Sequence, residues 1–135
     1  MKVDILLVDS ATACACSSCF TPHLAERGYI VDRRPDIYTC MEALTRKERE
    51  YGLVIIHMNA LPKALRVVRK IREQNATIPI IVITFINRGP TDIDAIYKAG
   101  ANDFVVKPTC GPAFLEITIR HYISTTAIKI DPEKT

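Results

Sequence analysis

Short apolar runs alternate along this chain with segments of helical period, and that alternation constrains the fold more than any other feature. The runs are Val3–Val8, Tyr29–Val31, Leu53–Met58, Ile78–Thr84 and Phe104–Val106. Short apolar stretches bounded in this way read as strands covered on both faces, as in a parallel sheet. Between them the period changes. Leu61, Ala64, Leu65, Val68 and Ile71 fall at helical spacing, with Lys63, Arg66, Arg69, Lys70 and Arg72 largely between them. Leu115, Ile119, Tyr122 and Ile123 make a similar stripe. Thr91 and Asp94 form a capping box with Asp in place of Glu, which predicts a helix start. Gly28 and Gly100 are placed to end helices, because glycine takes the left-handed conformation at little cost.

An alternating β-α order predicts right-handed crossovers and a doubly wound α/β sheet. Chemistry in such sheets sits beyond the carboxyl ends of the strands. That rule selects Asp9 and Ser10, His57 and Asn59, Thr84 and Phe85, and Lys107 and Pro108. At 135 residues the chain suits one domain, expected over residues 1–124, with 125–135 as a polar tail or linker stump. No apolar run approaches the roughly 20 residues that a membrane helix needs. The first residues are also too short an apolar stretch for a signal peptide, so the cytoplasm is the expected location. A net charge of +3 permits nucleic acid as a partner without pointing to it.

The strand-end residues carry a family resemblance. Leu6-Leu7-Val8-Asp9-Ser10, Leu53–Met58, Ile81-Val82-Ile83-Thr84 and Ala99-Gly100-Ala101-Asn102-Asp103-Phe104-Val105-Val106-Lys107-Pro108 occur in this order. Together they resemble the first, third, fourth and fifth strands of CheY-like response-regulator receiver domains. The resemblance runs from Val3 to about Ser124. It implies a flavodoxin-like (βα)5 fold with strand order 2-1-3-4-5. It also implies a module of two-component signalling, a phosphorelay in which an aspartate takes a phosphoryl group from a partner histidine. The family's reaction needs Mg²⁺ on hard oxygen ligands, a lysine on the phosphoryl group and a hydroxyl that follows it.

The chain keeps Asp9, Thr84 and Lys107, but Ser10 stands where the second acid belongs and His57 where the acceptor belongs. A hydroxyl and an imidazole suit Mg²⁺ poorly, and covalent catalysis has lost its nucleophile. The family's glycine beyond the proline of the following loop is also missing, since Pro62 is followed by Lys63-Ala64-Leu65-Arg66. A shorter, reshaped loop is expected. The resulting expectation is a degenerate phosphorylation site formed by His57, Asp9, Ser10, Thr84 and Lys107, with no catalysis and no cofactor. His57 is expected to fill the vacated site beside Asp9, and Lys107 to pair with Asp9. A pH-sensing or metal-binding role for His57 is the sharper alternative. Thr84, Phe104, Lys107 and Pro108 fall at the family's switch positions. The partner face implied is Thr91–Lys98, Phe104–Lys107 and Phe114–Tyr122, for a histidine kinase, an output domain or a second copy.

Two further patterns remain. Cys14, Cys16 and Cys19, with His23 nearby, have spacings that can clasp a soft metal, yet they fall on the first helix, where small buried cysteines are ordinary core residues. An odd count of 5 cysteines argues against a disulfide framework. Arg66, Arg69, Lys70 and Arg72 read as the solvated face of an amphipathic helix. The rival to a signalling module is a flavodoxin-like protein binding a small ligand or metal in the strand-end crevice. The absence of glycine in Ser10-Ala11-Thr12-Ala13-Cys14 argues against a phosphate loop there.

Overall fold

The computed structural model describes residues 3–9, 17–46, 50–58, 60–84, 89–106 and 115–123. The elements alternate as the apolar pattern requires: β1 (Val3–Asp9), α1 (Ser17–Glu26), β2 (Tyr29–Arg34), α2 (Ile37–Arg46), β3 (Tyr51–His57), α3 (Leu61–Gln74), β4 (Ile80–Thr84), α4 (Pro90–Ala99) and β5 (Asp103–Val106). A further helix, α5, covers 115–123. The strands form one parallel sheet in the order β2-β1-β3-β4-β5, as expected.

Side chains alternate across a strand, so the two-residue period sorts the sheet into two cores. Leu6, Val8, Val54, Ile56, Ile80 and Val82 face α2, α3 and α4. Ile5, Leu7, Leu53, Ile55, Ile81, Ile83 and Val105 face the other way, against Leu24 of α1 and Leu115 and Ile119 of α5. Both faces are dry, which is why these strands read as continuous apolar runs. Cys40 of α2 lies wholly inside the first core, and burial pushes its thiol up to about 12.

Several boundaries depart from the sequence reading. β2 continues past Val31 to Arg34, because pairing with β1 in register (Leu7 with Arg33, Val8 with Arg34) carries the strand into charged sequence. β4 begins at Ile80 rather than Ile78. The residues before it are drawn into a turn around Asn75, whose Oδ1 accepts from the Thr77 and Ile78 amides at 3.0 and 2.9 Å. α4 begins at Pro90 after Gly89, with no side-chain cap, so Thr91 and Asp94 lie inside the first turns and form no capping box. Proline at the first helical position forgoes a hydrogen bond that the helix could not have made. Gly28 (φ 93°) and Gly100 (φ 119°) do end their helices in the left-handed region.

Arg72 is not part of a solvated face. Its guanidinium donates to the Gly100 carbonyl (2.9 Å), the Asn75 and Ile78 carbonyls (3.2 and 2.7 Å) and Asn102 Oδ1 (2.8 Å). It ties the end of α3 to the end of α4. Arg66, Arg69 and Lys70 are exposed, as expected.

Candidate functional site

The site is a consequence of strand register. Asp9 is paired with His57 across β1 and β3, and His57 with Ile83 across β3 and β4. Thr84, one residue further, is paired with Val106. Parity decides which way the groups point. Asp9 continues the row Ile5–Leu7, Arg33 the row Tyr29–Val31, and His57 the row Leu53–Ile55. All three therefore emerge on the α1–α5 side at the carboxyl edge of the sheet.

Asp9 and His57 are both buried, at 3% and 0% exposure. His57 Nδ1 lies 3.3 Å from Asp9 Oδ1, and Arg33 Nη2 lies 3.2 Å from Asp9 Oδ2. A buried carboxylate is costly unless it is paired. Here one oxygen meets an imidazole and the other a guanidinium, whose outer part remains in solvent. Arg33 belongs to this site and escaped the sequence reading. Arg33 is in phase with Tyr29 and Val31, but the charged run from Asp32 hides the continuation of the strand, which pairing with β1 imposes.

Mg²⁺ does not fit this donor set. It wants oxygen ligands in octahedral geometry. The chain offers a single carboxylate at these positions, and that carboxylate already faces a cation and an imidazole. His57 ends β3 and is buried there beside Asp9. Ser10, Asn59, Phe85, Lys107 and Pro108 lie outside the described residues, and with them the expected pairing of Lys107 with Asp9. Thr84 is placed by its backbone at the end of β4. Cys14 and Cys16 also lie outside the described residues, while Cys19 falls on α1. Residues 58–60 alone separate β3 from α3, and Pro62 sits in the first turn of that helix, so the loop beyond His57 is short.

The second region is the surface of α4, β5 and α5. Phe104 is half-buried and meets Tyr97 edge to face, with centroids 5.9 Å apart at 74°. Tyr97 remains 44% exposed and Ile117 of α5 59% exposed. The Tyr122 hydroxyl lies 3.0 Å from Asp103 Oδ2 and 3.1 Å from the Asn102 carbonyl, joining α5 to β5. Burial first, then the Asp103 carboxylate, push that phenol up to about 12. Glu116 of α5 is buried and held by Arg120 at 2.8 Å and by the Tyr29 hydroxyl at 3.4 Å.

The model of the response regulator receiver domain matches residues 5–119. No curated protein is significantly similar to the chain. Among solved structures, NtrX of Brucella abortus is 22% identical with a TM-score of 0.80, covering 98% of this chain and 30% of that one. HP1043, an orphan response regulator of H. pylori, is 20% identical with a TM-score of 0.74, covering 90% and 96%. The chemotaxis protein CheY4 of Vibrio cholerae is 20% identical with a TM-score of 0.76, covering 90% and 99%. The chain thus spans under a third of the NtrX chain but nearly the full length of the other two. The family model falls on the signalling reading. No helix among the described residues is long and apolar enough to cross a membrane.

Proposed function

The chain belongs to the response-regulator receiver family of two-component signalling, and we propose that it works there without aspartyl phosphate. The observation that carries this is the engagement of Asp9 by His57 at 3.3 Å and by Arg33 at 3.2 Å. Phosphoryl transfer in this family requires a free carboxylate nucleophile and a metal to neutralise the phosphoryl oxygens. Here an imidazole occupies the first position, and the Arg33 guanidinium neutralises the one carboxylate that would hold the second, with His57 packed against its other oxygen. The module is accordingly a cytoplasmic binding protein and not an enzyme. It needs no Mg²⁺, and its conformation is set by its own packing.

Its output is contact with another signalling protein through the α4–β5–α5 surface, a histidine kinase, an output domain or a second copy. Exposed aromatic and aliphatic groups such as Tyr97 and Ile117 are the kind of anchors that such contacts bury. The test is incubation with acetyl phosphate and Mg²⁺ followed by intact-mass measurement. The expected result is unmodified protein. An added phosphoryl mass released by hydroxylamine, the mark of an acyl phosphate, overturns the reading.

A further inference from the structure

We propose that the groove between α2 and α3 is a second docking site, distinct from the α4–β5–α5 surface, and that it takes an acidic peptide segment bearing an apolar anchor. The groove has a volume of about 390 Å³. Ile37 and Met41 of α2 supply its apolar floor, and both pack onto the core behind them, so the floor is rigid. Arg66 and Lys70, one turn apart on α3, form the facing wall. Tyr38 stands at the rim with 75% of its surface exposed, the most exposed large apolar side chain among the described residues. Tyrosine and arginine beside an aliphatic floor are the residue types that dominate binding energy at protein interfaces.

The charge decides the partner. The exposed face of α3 carries Lys63, Arg66, Arg69 and Lys70 against the single acid Glu73. Glu73 already faces Lys70 at 3.9 Å, while Glu42 of α2 is taken by Arg46 at 3.6 Å. Arg66 makes no ion pair among the described residues. Glu73, which also lines the groove, offsets Lys70, so the wall keeps the positive charge of Arg66 above an apolar floor, with Lys63 and Arg69 adding to it along the same helix. Its complement is a carboxylate-rich segment with a branched aliphatic or aromatic anchor. A nucleic acid fits less well. Binding of single strands relies on successive aromatic platforms, and this groove offers one ring over aliphatic carbon.

The proposal is tested on the full chain by fluorescence anisotropy, with a fluorescein-labelled helical peptide of Leu and Glu as probe. A peptide with Lys in place of Glu and a labelled single-stranded DNA serve as the other arms. The acidic peptide is expected to bind saturably, and R66E/K70E to weaken it by about tenfold or more, in line with removal of a charged interface pair. Y38A, at an exposed position, is expected to weaken it by several-fold without loss of fold. Amide shifts on binding should cluster at Tyr38, Met41, Arg66 and Lys70. The idea fails if the acidic peptide does not bind, or if R66E/K70E leaves binding unchanged. It also fails if DNA or the basic peptide binds as well, or if shifts appear only on self-association of the protein.

Discussion

His57 shows how one residue reorganises a site. A buried imidazole packed between β1 and β4 supplies volume and faces the buried Asp9 carboxylate. Removing it leaves a void, and Asp9 then relies on the half-solvated Arg33. H57A is expected to lower stability by about 3 kcal/mol, from cavity formation together with the weakened pair. Adding D9A should return part of that loss, and a double-mutant cycle in urea gives the coupling directly. Additive losses would show that His57 acts by volume alone. Two other side chains set a pH limit. Cys40 titrates near 12 against an ordinary 9.0, and Tyr122 near 12 against an ordinary 10.0. In both, folding holds the proton on. Their stabilisation is therefore complete below pH 9 and is lost progressively as pH rises towards 12. Urea midpoints should fall across that window, and Y122F should flatten the part of the fall above pH 10. An unchanged slope in Y122F would mean that its phenol does not report on folding.

Among the elements, the junction of α3 and α4 has the clearest energetic structure. α4 ends at Gly100 in the left-handed region, and a Cβ there would lie 2.7 Å from Arg72 Cγ. Arg72 in turn donates to three carbonyls and to Asn102. Helix end, glycine and arginine form one unit. R72M keeps the aliphatic stem and strands those acceptors, at an expected cost of about 2 kcal/mol. G100A meets both a backbone penalty and the arginine stem, and should cost at least about 1 kcal/mol. The two share a contact, so the double variant should lose less than the sum. Urea denaturation of the three variants measures this, and strict additivity would contradict the unit. This junction also marks where sequence reading stops. Gly100 was legible as a helix stop because its conformation is a local property. Arg72 looked like one more cation on a wet face, because its partners lie up to 30 residues away.

At the scale of the whole molecule, the sheet order was legible because period and motif agreed over most of the chain, and both cores follow from residue parity. The site was half legible. Asp9 and His57 sit at the ends of runs that could be seen, whereas Arg33 reaches the site from a strand continued by pairing rather than by hydrophobicity. That difference makes the proposed loss of metal chemistry testable. If the carboxyl edge has been rebuilt around an internal pair, Mg²⁺ should have no differential affinity for the folded state. The native protein should then melt at the same temperature in EDTA and in MgCl₂. S10D/H57D would place acids at both changed positions beside Asp9. Without metal the three carboxylates repel, and Arg33 offsets only part of that, so the double variant should be less stable than the native protein. With Mg²⁺ at a hundredfold excess over its dissociation constant, binding to the folded state alone contributes about 2.7 kcal/mol. The variant should therefore recover stability with Mg²⁺ concentration while the native protein does not. A native protein that Mg²⁺ stabilises would show that Asp9 remains available to metal and that the His57–Asp9–Arg33 arrangement opens readily. A variant indifferent to Mg²⁺ would show instead that the short loop beyond His57, and not the missing acids, is what excludes the ion.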